Sequence, residues 1–211
     1  MKKSGFRSAF NVIGQSFSLW WWDWSNGVLV SLLTVLVSLT GVLAGPAILG
    51  LGEVAKDLND GIRTGMGGWW DGFKRYFWVG VLWAVVNLVV IALVGFSLWF
   101  YTQWDTPWSP LLVVILVLIA VFWVDVQLLT PGYLIAQEDK SLGLAWKNSL
   151  LTLLAAPGFC FVACGLSLLI LIVSLVTLLP LMAGTVSLLA LISVLAVQDR
   201  LAVFQSQNEQ K

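Results

Sequence analysis

Long apolar runs, separated by short polar and aromatic stretches, dominate the pattern of this chain. Residues 27–47, 77–101, 111–130, 150–176 and 181–197 are each almost continuously hydrophobic. Each run reaches the roughly 17–25 residues that an α-helix needs to cross a hydrocarbon core. No run alternates with the period of a membrane strand, and lipid offers no partner to open backbone, so helices are expected. The fold class read from the pattern is an all-α polytopic membrane protein. It has five transmembrane helices in a single membrane domain over residues 1–211, plus an N-terminal amphipathic helix.

That N-terminal helix is expected over residues 6–24. Phe6, Phe10, Ile13, Phe17 and Trp20 recur at steps of four and three, which makes one helical stripe, with Arg7, Asn11 and Gln15 away from it. Trp20, Trp21, Trp22 and Trp24 mark a membrane–water boundary. The basic start lacks the apolar core and small-residue cleavage site of a signal peptide, so it reads as part of the mature protein.

Helix breaks are expected at Gly45 and Pro46, at Pro131, and at Pro180. Between the spans lie two charged elbows, 48–76 and 137–149. Each ends in an aromatic–basic anchor: Trp70, Phe73, Lys74 and Arg75 in the first, Trp146 and Lys147 in the second. The two elbows read as copies of one plan, with Pro46…Glu53 echoed by Pro131…Glu138. The charges around Glu53 read as a solvated helix end. Residues 198–211 form a polar tail.

Composition agrees with the pattern. The 211 residues are 59% hydrophobic and 10% charged, against about 25% charged in soluble domains. Eleven basic residues balance eleven acidic ones, which gives no field for nucleic acid. Basic residues gather on the elbows and tail and are missing from the turns at 102–110 and 177–180. The elbow side is therefore expected to be cytoplasmic, with the C-terminus inside. The first span would then run from outside to inside and strand Lys2, Lys3 and Arg7 outside. Either residues 6–24 lie on the outer face or they cross as a sixth span.

Little in the chain can carry chemistry. Histidine is absent. There is no nucleophile elbow, phosphate loop or metal-ligand spacing. No catalytic residue, metal or cofactor is expected. Cys160 and Cys164, four apart on an apolar run, read as small packing residues, since a disulfide within one helical turn is poorly formed. The candidate intramembrane polar site is Asp125, Asn87 and Gln127. Asp125, the one acid inside a span, reads either as paired with Lys74, Arg75 or Lys147, or as a cation or proton site with the two amides.

One resemblance follows from the order of motifs. Asn26 opens the first span; Thr40, Gly41, Gly45, Pro46 and Ala47 close it; Trp70, Phe73, Lys74, Tyr76 and Phe77 launch the next. This set resembles the YesL-like family of bacterial membrane proteins (domain of unknown function 624). The resemblance covers residues 20–90 and is topological beyond. It implies about five membrane helices in the bacterial inner membrane, no enzymatic activity, and an accessory role beside carbohydrate uptake. The partners expected are the lipid bilayer and a membrane permease or a second copy of the chain. The alternative reading is a small transporter or channel subunit using Asp125 and Asn87.

Overall fold

The computed structural model describes residues 5–104, 106–177 and 184–208. The described residues form nine α-helices and no strand: α1 Gly5–Trp22, α2 Trp24–Ser38, α3 Ala44–Asn59, α4 Gly65–Arg75, α5 Phe77–Gln103, α6 Ser109–Ala136, α7 Leu142–Ala155, α8 Pro157–Thr177 and α9 Val186–Asn208. Four of them, α5, α6, α8 and α9, are long and apolar enough to cross a membrane. The chain is thus an all-helical, multi-pass membrane protein.

The expected first span is where the structure departs furthest. The run 27–47 is not one helix. α2 stops at Ser38, the backbone turns at Leu39–Leu43 with Gly41 at φ +74°, and α3 starts at Ala44. The two helices then lie antiparallel. Trp69 of α4 donates from its indole to Thr34 Oγ1 (2.9 Å) and to the Ala47 carbonyl (3.1 Å). At the other end, Arg63 lies 3.7 Å from the Asp23 carboxylate. The start of α2 and the segment after α3 therefore lie together, at the end of the hairpin away from its turn. Its arms have 15 and 16 residues, about 22–24 Å of helix, short of a 30 Å hydrocarbon core. Its tip stops against Leu88, partway along α5.

The N-terminal helix is held against α9. α1 runs antiparallel to α9, from Ser8 beside Asp199 (2.6 Å) to Trp20 beside Ser187 (3.0 Å). Asn59 meets Gln198 in the same way (2.7 Å). Arg7 therefore shares an end of the bundle with the close of α3 and with Arg200. α1 also turns its stripe outward. Phe6, Phe10 and Phe17 are exposed, while Ser8, Ala9, Val12 and Ser16 pack inward. In lipid the small residues make the helix contacts and the large apolar ones meet acyl chains.

Two helix breaks are also corrected. Gly45 and Pro46 lie inside the first turn of α3, where a proline's missing N–H costs no ladder bond, and the reversal precedes them. Pro131 sits inside α6, which continues to Ala136. Ser193 of α9 makes this tolerable: its hydroxyl accepts from the Gly132 N–H (3.1 Å) and donates to the Leu128 carbonyl (2.6 Å). These are the two groups that the helical ladder pairs, so a neighbouring side chain braces the turn that proline weakens. Pro180 lies outside the described residues. The expected fourth span, 150–176, is divided at Ala156, with Pro157 opening α8. Of the expected fifth span, 181–197, the first three residues lie outside the described ones. Its helix runs on to Asn208, so 198–208 is not a frayed tail.

Close backbone approach seats the hairpin. A Cβ on Gly45 would stand 1.9 Å from the Gly80 carbonyl oxygen, and one on Gly80 2.5 Å from the Pro46 nitrogen. α3 is the buried axis: eleven of its sixteen residues are buried. By contrast no residue from Val85 to Trp104, or from Pro110 to Val124, is buried among those described. The distal part of the α5–α6 pair stands clear of the bundle.

Candidate functional site

Two of the three expected site residues come together, and the third does not. Asn87 lies on α5 and Gln127 on α6, at the level where the pair leaves the bundle. The Asn87 amide donates to the Trp83 carbonyl (2.8 Å) and to Gln127 Oε1 (3.3 Å). Gln127 Oε1 also accepts from the Trp83 indole (2.6 Å), and Asn87 Oδ1 from the Trp123 indole (3.1 Å). An indole N–H can only donate, so each amide must turn its oxygen toward a tryptophan. This fixes both amide orientations and leaves the Gln127 Nε2 donors without an acceptor among the described residues.

Asp125 faces elsewhere. Two helical residues separate side chains by about 200°, so Asp125 turns toward α8 while Gln127 turns toward α5. It is 2% exposed. No N–H or O–H donor among the described residues reaches either carboxylate oxygen, and its polar neighbour is the Cys164 thiol. The expected pairing with Lys74, Arg75 or Lys147 does not form. Lys74 bridges to Asp71 (3.1 Å), Arg75 pairs with Glu53, and Lys147 is exposed on α7. Cys160 and Cys164 are free and buried.

The amide cluster borders a cavity of about 530 Å³. Its wall includes Gly41 and Gly45 at the hairpin tip, Trp83, Asn87 and Ile91 of α5, Trp123 and Gln127 of α6, and Ser167 and Leu171 of α8. Ser167 is 4% exposed and its hydroxyl has no partner among the described residues. Asp125 does not line the cavity, and neither does any other acid or base among the described residues.

The aromatic–basic anchors differ from each other. In α4, Trp70 and Phe73 stack (5.5 Å between rings) and Lys74 lies over Trp70 (5.6 Å). Trp70, Lys74 and Arg75 are all exposed, as an interfacial anchor requires. Trp146 instead packs against Trp123 (6.0 Å) inside the protein. The two elbows also sit in unlike surroundings. Pro46 opens a helix and Glu53 lies within it, whereas Pro131 is deep in a helix and Glu138 follows its end.

Three groups that organise the bundle carry no distinguishing sequence signal: Trp69, Ser193 and the Ser8–Asp199–Arg200 cluster. Glu53, expected at a solvated helix end, is instead buried to 7% exposure. It is paired with Arg75 and accepts from the Tyr76 hydroxyl (3.2 Å). Burial, then the Glu53 charge, push the Tyr76 hydroxyl up to about 12.

No family model, curated protein or solved structure matches the chain.

Proposed function

We propose that this chain is a non-enzymatic accessory or scaffold protein of the bacterial inner membrane, with its C-terminus in the cytoplasm. It holds another membrane protein against its lipid-facing helices. What carries the reading is the α5–α6 pair. Two helices of 27 and 28 residues extend from the bundle with no buried residue over Val85–Trp104 and Pro110–Val124 among those described. A long bare helix pair presents apolar relief for another membrane helix to pack on. The resemblance of residues 20–90 to the YesL-like family supports a carbohydrate-uptake permease as that partner. A second copy of the chain is the alternative occupant.

The transporter reading has less in its favour. It joins Asp125 to Asn87, and the two stand on different faces of the packing, with Asp125 behind the cavity wall beside Cys164 and not in its lining. The test is site-directed photocrosslinking in native membranes from Ile91 and Leu118 on the free hairpin, with Phe10 on α1 as control. A permease crosslinked from the hairpin and not from Phe10 is the expected result. Solute uptake by vesicles holding this chain alone, with no hairpin crosslink, would instead establish the transporter.

A further inference from the structure

We propose that the cavity beside Asn87 and Gln127 binds an uncharged lipid, a hydrocarbon chain ending in a hydroxyl or carbonyl oxygen. Size comes first. About 530 Å³ falls within the 300–1,000 Å³ of small-molecule sites. The wall is apolar apart from Asn87, Gln127, Cys164 and Ser167, the few polar groups by which such a site orients its ligand.

Those polar groups define the end that would be held. Gln127 Oε1 is fully engaged by Trp83 and Asn87, so the residue offers only N–H donors. Ser167 offers a hydroxyl with no partner among the described residues, on a side chain 4% exposed. Both call for an oxygen acceptor, because an unmade hydrogen bond in hydrocarbon is costly. Among the described residues no cation lines the cavity to meet a carboxylate or phosphate, and no acid lines it to meet an amine. The complementary group is therefore neutral.

Depth separates this ligand from an ordinary bilayer lipid. Asn87 is ten residues into α5 and Gln127 nine residues before the end of α6, about 14–15 Å along either helix. That is near the middle of a roughly 30 Å hydrocarbon core. Phospholipid esters and headgroups stay at the interface, whereas uncharged alcohols and quinone-type carbonyls can enter to this depth. The inference stands independently of the scaffold reading, since it needs no protein partner.

The experiment uses the full chain in detergent and a diazirine-bearing hexadecanol as probe, with labelled peptides mapped by mass spectrometry. Labelling is expected on α5, α6 and α8 around Ile91 and Leu171. Unlabelled hexadecanol or a decyl-tailed benzoquinone should compete, and whichever competes better identifies the alcohol or the carbonyl as the natural end. Ser167→Ala and Gln127→Leu should each weaken labelling about three- to tenfold, the worth of one hydrogen bond. Leu171→Trp should narrow the cavity and weaken labelling by the same order or more. Melting curves identify any variant that fails to fold. If Gln127→Leu is one of these, Ser167→Ala, the mildest change, decides the matter. Equal competition by hexadecane or by phosphatidylglycerol would overturn the proposal. So would unchanged labelling in Ser167→Ala.

Discussion

At the scale of single residues, polar groups inside this protein divide into those that are paired and those that are not. Trp69 is paired twice and fastens both arms of the hairpin. Trp69→Phe keeps an aromatic ring but loses the N–H, its two acceptors and part of the packed indole, so thermal unfolding in detergent should show a loss of at least about 1–2 kcal/mol. Asp125 is the opposite case. A buried ionised carboxylate without a cation is costly, so Asp125→Asn should leave the midpoint unchanged or raised. Glu53→Gln, which removes the Arg75 pairing, should lower it. Tyr76 gives a dependence on pH. Its folded value, about 12, lies above the ordinary 10.0. Its contribution is therefore complete below pH 10 and is lost between 10 and 12, as the unfolded chain releases the proton first. Tyr76→Phe should flatten stability across that window, with tyrosinate absorbance as the check on titration.

At the scale of elements, α5 and α6 were legible because twenty or more apolar residues in a row leave no other fold in lipid. The hairpin was not. From Val42 to Leu51 the chain stays apolar, and hydropathy cannot tell a helix that crosses from two that meet at a turn. Gly41 supplies the turn's positive φ, yet one glycine in a membrane segment is unremarkable in composition. The prolines misled for a related reason. A proline inside a helix lacks its N–H and crowds the carbonyl four residues back, here that of Gln127; Ser193, sixty-one positions after Gly132, braces the adjoining Gly132–Leu128 pair. No local reading could supply it. Ser193→Ala should leave buried backbone groups without that support and cost about 1–3 kcal/mol, read as a lowered melting midpoint. The candidate site was half legible for a geometric reason: Asp125 and Gln127 are neighbours in sequence and face different helices.

For the whole molecule, the prediction concerns sidedness. In a background with Cys160 and Cys164 replaced by alanine, a cysteine at Val42 should resist membrane-impermeant maleimide from both sides. Cysteines at Asp60 and Lys140 should react from the same side as each other. Reaction at Val42 from the side opposite Asp60 would restore a crossing helix. Among the described residues Arg7 and Arg200 share an end of the bundle with the close of α3, and the stretch that read as one crossing helix folds back on itself. The cavity lies against the tip of this hairpin, which supplies one of its walls.

The position of α9 has a consequence in time. It packs against α1, α2, α3, α6 and α8, and its side chains or backbone meet Ser8, Trp20, Ser31, Asn59 and Gly132. A ribosome delivers it after all of these. Until then α1 has α8 but not α9 to pack on and α6 holds an unbraced proline turn, so earlier helices wait in the bilayer half-assembled. Assembly waits for Val186–Asn208 to emerge, and a chain arrested before Val186 is expected to remain open to degradation however many of its apolar runs have already inserted.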